Sequence, residues 1–406
     1  MKLPYLCTLV LLPLSITLSA SSYDLQKPFG FCTRSSRTNS DSQYVYNVTG
    51  GGCYQYPVTG VSSDKVTTLT SSGRDMRDDI YEAIHKYDVV IFDGSQGDFI
   101  VSSTILLRNI SGKTLLGINN ARLCTTWYAT QEILDALNAA GVPSMSTDRG
   151  TGGRLSNGLF VGEQAEYNTR QIIINLTGDM SEAYRGSGLL DFNRCKNLII
   201  RNLKFVGPGA IDVGGSDLIT FSGTTNCWVD HCDFVDGMDG NFDITQKSDF
   251  NTVSWCTFSY SDRSYMHRNT NLIGSGDYEP TGYLNTTFAF NHWGVNCHAR
   301  MPMARVGKIH MLNNYFTSVG CGSCVNARKN SEFLIEGNYF AEGVKNYYGE
   351  GEATAVTWGS NNYIAESSGN QFPASFGATV TLPYPYTVAD YNVIPKEVGT
   401  HAGATL

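Results

Sequence analysis

Apolar residues along this chain come in short runs separated by glycine, asparagine and serine, the pattern of many brief strands and turns. The clearest runs end on an aromatic residue: LIIRNLKF at Phe205, CWVDHCDF at Phe234, VSWCTF at Phe258, IHMLNNYF at Phe316, FLIEGNYF at Phe340 and SGNQF at Phe372. They recur every two to three dozen residues or so, which is the signature of a solenoid. The wide gap after Phe258 divides at FAFNHWG, where Gly294 takes the aligned place. Two positions ahead of each aligned residue stand Cys232, Cys256, His292, Asn314, Asn338 and Asn370. Stacked at strand spacing, the asparagines predict an amide ladder along one turn. The expected fold is all-β, a parallel β-solenoid.

The first half of the chain is less regular. Residues 75–87 carry Met76, Ile80, Ala83, Ile84 and Tyr87 at helical spacing, predicting an amphipathic helix that caps the start of the stack. Strands are expected at 89–92, 103–108 and 113–117. Residues 21–73 read as an irregular N-terminal arm, with Cys32 and Cys53 as a candidate staple. Residues 125–188 interrupt the strands and read as an insertion over one face, with a short helix at 131–140 before Pro143. Residues 1–20 hold Lys2 and then an apolar run up to small residues, which predicts a secretory signal peptide. Residues 21–406 then form a single domain.

Composition sharpens this picture. With 406 residues, 41% of them hydrophobic and only 16% charged, the chain can bury a large core. Its 23 tyrosines, 19 phenylalanines and 42 glycines favour strands and tight turns. A formal net charge of −8 argues against nucleic acid, since no basic surplus exists to release phosphate counterions. An acidic polymer can still bind where a cation or a local basic cleft overcomes the repulsion. After the leader no uninterrupted apolar stretch is long enough for a membrane span. A secreted monomer is expected, extracellular or, in a Gram-negative bacterium, periplasmic. Setting aside Cys7 in the leader leaves an even number of the 11 cysteines for an oxidising compartment, where disulfides persist. Cys321 and Cys324 predict a local disulfide or a pair of buried thiols.

Candidate chemistry gathers in two places. Asp217, Asp239 and Asp243 supply the carboxylate oxygens that a hard cation such as calcium needs. Asp239 and Asp243 would stand about 13 Å apart along a flat strand, so sharing an ion requires a turn, which Gly240 and Asn241 can make. The second place is HARMPMAR, residues 298–305, where Arg300 and Arg305 flank Pro302 and Lys308 follows closely. Paired guanidinium groups suit the carboxylates of an acidic polymer.

Together, NLIIRNLKF, an aspartate eleven residues ahead of WVDH, DGNFDIT, and HARMPMAR followed by an NNYF strand resemble the pectate lyases of polysaccharide lyase family 1. The likeness covers residues 197–340 well and residues 113–116 and 386–403 more loosely. It implies a right-handed parallel β-helix with an N-terminal capping helix and long loop insertions. It also implies β-elimination across the 1,4 linkage of polygalacturonate or pectin, giving unsaturated oligogalacturonides. By that resemblance Asp217, Asp239 and Asp243 hold Ca2+, Arg300 is the catalytic base and Arg305 binds substrate with Lys308 close behind. A fourth family carboxylate corresponds to Gly215. Trp228, Asp230 and His231 fall on a scaffold signature, and Arg328 on a structural arginine. The family's substrate-binding lysine is absent from residues 261–266; Arg263 or Arg268 stands in for it.

The proton on C5 of a galacturonate is weakly acidic because its carboxylate resists a second negative charge, and a bound cation offsets that charge. Guanidinium normally stays charged, so an arginine base implies activity that rises with pH. Rival readings are a β-helical polygalacturonase, whose paired carboxylates and accompanying motifs are not found, a pectin lyase without calcium aspartates, and a non-catalytic solenoid adhesin.

Overall fold

Strands of a few residues bury too little surface to stand alone, so each turn of a solenoid is stabilised by the turns above and below it. The computed structural model describes residues 23, 27–33, 37–38, 44–45, 47–142, 153–211, 214–365 and 372–406. Three parallel sheets of ten, nine and eight strands run through it. One coil takes a strand from each sheet in turn: Lys196–Arg201, Lys204–Val206 and Ile219–Ser222, after which Trp228–Asp230 begins the next coil beside Lys196–Arg201. The fold is a right-handed parallel β-helix, as the repeat and the resemblance imply.

The phenylalanine repeat lies in the nine-stranded sheet. Phe205, Phe234 and Phe258 are in register as predicted, and so are Phe316 and Phe340. The rings stack face to face at 5.2, 5.1, 5.4, 4.8 and 4.5 Å from Phe205 through Phe340. The member between Phe258 and Phe316 is Trp293, however, not Gly294. A buried apolar ring continues the stack where glycine would leave a void. The rung after Phe340 is Ile364, whereas Phe372 packs its ring against Tyr347 and Trp358.

The same shift corrects the amide ladder. Asn291 replaces His292, and Asn362 takes the place predicted for Asn370, which lies outside the described residues. Each Nδ2 donates to the next Oδ1: Asn291 to Asn314 at 3.2 Å, Asn314 to Asn338 at 2.9 Å and Asn338 to Asn362 at 3.1 Å. These amides also bond buried backbone carbonyls, those of Phe288 and Met311 among them, and so satisfy peptide groups that the turn takes out of the sheet.

The helix Arg77–Lys86 buries Ile80, Ala83 and Ile84 against Val90, Phe92 and Phe99, closing the N-terminal end of the coil. The strand Val66–Thr70, in the stretch expected to be irregular, adds an edge strand to the ten-stranded sheet. Between the strands Arg122–Thr125 and Leu190–Asn193 stand the helices Gln131–Ala139, Val161–Thr177 and Ser181–Arg185. Their apolar faces share a second core with Met238 and Met266, residues that neighbour candidate site groups. The expected leader, residues 1–20, lies outside the described residues.

The expectation of disulfides is not met. All ten cysteines among the described residues are buried and free, including Cys32 and Cys53. Cys321 and Cys324 hold their sulfurs 3.5 Å apart as thiols. Most of these side chains fill the coil interior, where free cysteine serves as a small apolar residue.

Asn314 bonds amides on both neighbouring coils. Asn314→Ala is expected to lower the unfolding free energy by about 2–4 kcal/mol, because buried donors and acceptors lose their partners; urea denaturation followed by tryptophan fluorescence measures it.

Candidate active site

The chemically loaded side chains stand on and beside the eight-stranded sheet. In chain order its strands Ile219–Ser222, Phe242–Thr245, Leu272–Ile273 and Met303–Ala304 are neighbours. Asp217 precedes the first of these, Asp239 and Asp243 enter the second, and Arg300 precedes the fourth. Asp243 pairs in register with Thr220. Arg300 belongs to a coil two rungs further on, about 10 Å away at ordinary strand spacing.

The chain turns between Asp239 and Asp243, where Asn241 Oδ1 accepts the Gly237 amide at 3.0 Å. A methyl group at Gly240 would stand 2.5 Å from Asp217 Oδ1 and 3.2 Å from Asp243 Oδ1. Both carboxylates therefore lean over a residue without a side chain. Asp217 Oδ2 accepts from Thr220 Oγ1 at 3.2 Å, while its buried Oδ1 has no hydrogen-bond partner. Asp243, 8% exposed, accepts the Leu272 amide at 2.8 Å.

Burial first, then the charges of Asp243 and Asp239, push the Asp217 carboxyl well above the usual carboxylate range. Burial also raises Asp243, to about 7; Arg300 opposes that rise and Asp239 adds to it. A buried acid and a half-buried one held so close are poorly compensated as anions, which is the electrostatic setting a hard cation relieves. Among the described residues, no three His, Cys, Asp or Glu side chains close into a metal-holding group. Asp239 is turned aside, its Oδ1 3.0 Å from His267 Nε2. The donor set still fits calcium: all oxygen, with one buried acceptor unsatisfied.

Arg300 has φ +60°, a left-handed backbone uncommon for a residue with a side chain. Neighbouring coils hold it there. Its carbonyl accepts the Asn271 amide at 2.7 Å, and the Met301 amide donates to Cys324 at 3.0 Å. Arg300 lines an open groove of about 540 Å3 together with Met303, Arg305, Arg328, Lys329 and Asp277. Arg305 Nε pairs with Asp277 at 3.1 Å, and Lys329 Nζ is 3.9 Å from the same carboxylate.

The other predicted residues separate. Half-buried Arg268 lies in the coil beside Arg300, its carbonyl accepting the His298 amide at 2.8 Å. Burial lowers its pKa. Arg263 is further back, its guanidinium 4.9 Å from the Tyr128 ring at the helical insertion. Lys308 is not brought to the groove: it begins the next strand of the ten-stranded sheet, with Nζ 3.6 Å from Glu332 and 3.2 Å from the Thr381 carbonyl. Val306 and Gly307, both at positive φ, carry the chain around the corner of the coil between Arg305 and Lys308.

Trp228, Asp230 and His231 are buried in or beside the ten-stranded sheet. Asp230 binds Arg201 at 2.8 Å, His231 at 2.6 Å and Ser254 at 2.6 Å. Burial raises its pKa, but His231 and Arg201 outweigh that and hold the carboxyl low. This geometry is that of a scaffold. The sequence reading missed His267, Asn269 and Asp277. Asn269 sits in register beside Ala299, with its amide nitrogen 3.1 Å from His267 Nε2. The only signal for these two was their place just ahead of the apolar pair Leu272–Ile273; Asp277 lay in a glycine-rich loop that gave none.

Residues 162–404 match the family model described as pectate lyase. The probable pectate lyase A of Aspergillus niger is 34% identical over 239 residues, covering 56% of this chain and 68% of that protein. Among solved structures, a Bacillus pectate lyase in complex with trigalacturonate superposes with a TM-score of 0.54 at 17% identity, covering 93% of this chain and 98% of that one. Pectate lyase C of Erwinia chrysanthemi, solved with 30 mM Ca2+, gives 0.51 at 16% identity, covering 88% and 94%. The two structural likenesses bear on the fold; the match of sequence over more than half its length shows that this chain belongs to the pectate lyase family, a family of polysaccharide lyases.

Proposed function

We propose that the protein is a secreted, calcium-dependent pectate lyase that cleaves 1,4-linked polygalacturonate by β-elimination, leaving 4,5-unsaturated oligogalacturonides. The observation that carries this reading is the juxtaposition of Asp217 and Asp243 over Gly240 with Arg300 two rungs from Asp243. The relatives' name points to pectate as substrate, and the trigalacturonate bound to one structural neighbour fits the same class.

Asp217 and Asp243 would hold calcium, joined by Asp239 once its carboxylate leaves His267. Calcium, when bound, supplies positive charge that offsets the sugar carboxylate beside the reacting carbon. Arg305 binds a carboxylate of the polymer, presenting the forked donors that match it. Arg300, fixed by backbone bonds to two neighbouring coils, takes the proton from C5. The C5–H electron pair forms the C4–C5 double bond, the C4–O bond breaks, and the departing oxygen gains a proton from water. A guanidine accepts a proton only after losing its own, so the rate rises toward alkaline pH. Of the two candidates for the missing lysine, Arg268 is favoured, since its coil adjoins that of Arg300 while Arg263 faces Tyr128. The apolar leader at residues 1–20 supports secretion, and no helix among the described residues is long and apolar enough to cross a membrane. N-terminal sequencing of the exported protein tests the leader.

Arg300→Ala is expected to lower kcat by about 10^2–10^4 with a smaller change in KM, followed by the ultraviolet absorbance of the unsaturated product. Full turnover by that variant would remove Arg300 from the chemistry. Hydrolysis without unsaturated product would instead favour a polygalacturonase.

Calcium binding is read separately from activity. The raised carboxyls of Asp217 and Asp243 favour the folded state only while protonated; for Asp243 this stability is complete below about pH 4 and is lost as pH rises through about 7. At pH 8 without calcium, Asp243→Asn is expected to melt above the native protein. Calcium at a hundredfold its dissociation constant is expected to stabilise the native protein by about 2.7 kcal/mol and the variant far less. Scanning calorimetry with and without chelator checks both, and equal calcium shifts in the two proteins would exclude Asp243 as a ligand.

A further inference from the structure

A second groove lies along the trailing edge of the eight-stranded sheet, next to the one that contains Arg300. It encloses about 610 Å3 and is lined by Asn193, Arg194, Gln246, Lys247, Tyr278 and Glu279, among others. The residues come from the ends of three coils, Leu190–Asn193, Ile219–Ser222 and Phe242–Thr245, and from the loop that follows Leu272–Ile273.

The loop is built rather than slack. Glu279 is only 5% exposed, and its carboxylate accepts the amides of Gln246 at 2.8 Å, Ser275 at 3.3 Å and Lys247 at 3.4 Å. Gln246 and Lys247 both have positive φ, +57° and +65°, without being glycine. Such backbone persists where its surroundings dictate it, and it gathers at binding sites. The buried carboxylate thus fixes Lys247 and the 274–282 loop against each other. Across the groove, the stem of Arg194 lies over Gly223, where a methyl group would meet its Cγ at 3.6 Å.

The result is two exposed cations and an aromatic ring on a fixed frame. Tyr278 is 73% exposed, with its hydroxyl tied to Ser275 Oγ at 2.9 Å. Lys247 Nζ rests 5.2 Å from the Tyr283 ring. Among the described residues, neither Arg194 nor Lys247 pairs with a carboxylate, unlike Arg305, Lys308 and Lys329, which do. In a chain of net charge −8, two cations without a carboxylate partner thus face one groove, two rungs apart. Lys247 ends a strand two rungs, about 10 Å, from that of Arg305, and Arg194 ends one two rungs beyond, about 20 Å away. Asp277 lines the first groove and Tyr278, the next residue, the second, so the two adjoin.

We propose that this groove is a remote subsite for anionic sugar units of the polymer, with Arg194 and Lys247 meeting carboxylates and Tyr278 stacking on a ring face. The proposal rests on the reading of the substrate as polygalacturonate. It makes the enzyme favour long chains over short ones, because only a long chain reaches both grooves.

The test compares the native protein with Arg194→Ala/Lys247→Ala and with Tyr278→Ala on polygalacturonate and on trigalacturonate. The ratio of KM for polymer over KM for trimer is expected to rise about fivefold in the double variant, a loss of about 1 kcal/mol shared by two exposed pairs, and about threefold in Tyr278→Ala, a loss of about 0.7 kcal/mol. The salt sensitivity of polymer KM is expected to shrink in the double variant only. Calorimetric titration of long oligogalacturonate into Arg300→Ala, with and without the double change, reads the same loss without turnover. An unchanged KM ratio with unchanged binding would overturn the subsite. Absence of unsaturated product from the native protein on polygalacturonate would instead overturn the substrate reading itself.

Discussion

Parallel pairing of successive coils is the constraint on which everything else in this protein depends. Each coil sits one strand spacing, about 4.8 Å, from the next, so residues at equal positions in consecutive coils must touch. Inside, that forces like on like: the ring stack from Phe205 to Phe340 and the ladder from Asn291 to Asn362. Stacked rings add roughly 0.5–1.5 kcal/mol per pair beyond their burial, and the ladder bonds buried turn amides that have no sheet partner. Outside, the same rule gathers Asp217, Asp243 and Arg300 from a stretch of more than eighty residues, without any one segment holding a complete site.

The site is also the place where the stacking rule is electrostatically costly. Asp217 and Asp243 stand in adjacent coils, and both are largely withdrawn from water. The Asp230 cluster shows the contrast. There the carboxylate is wholly buried, yet Arg201, His231 and Ser254 surround it and its pKa falls instead of rising. A buried acid with every oxygen bonded is scaffold; one left with an unbonded buried oxygen, as Asp217 is, stores an unmet demand for positive charge. The helical insertion reinforces this arrangement by packing on Met238 and Met266, so that Asp239 and His267 are flanked by a core separate from that of the coil.

Much of this was legible in the sequence because the repeat is carried by side-chain size. Phe234, Phe258, Phe316 and Phe340 announce their own register, and the carboxylate and arginine motifs could then be placed on coils. Reading failed where size changed identity: tryptophan at 293 and isoleucine at 364 continue the stack, and a search for phenylalanine slides by one residue at the first and by eight at the second. The cysteines misled for another reason. Their number suits an oxidising compartment, but their places are interior positions of the coil, where a thiol fills space. Loops were the least legible. Whether Arg263, Arg268 or Lys308 faces the groove depends on which way the chain leaves a strand, and no periodicity records that.

Asp277 illustrates what such a loop can decide. Its carboxylate sits between Arg305 and Lys329, on the donors that the proposed binding mode gives to a carboxylate of the polymer. It is 62% exposed, and exposed ion pairs contribute only about 0.2–1 kcal/mol. In that binding mode substrate would exchange one weak pair for another in the same place, and little net affinity would come from Arg305 alone. What the pair does supply is order: Arg305 is held extended toward the groove before substrate arrives, so less side-chain freedom is lost on binding. Affinity for an acidic polymer must then come from groups that are not already paired and from the calcium that the neighbouring aspartates are suited to hold. The loop from 274 to 282 thus divides the face of the sheet into a groove whose cations Arg305 and Lys329 are already paired, the one proposed to take the reacting sugar, and a groove beside it whose cations have no carboxylate partner among the described residues.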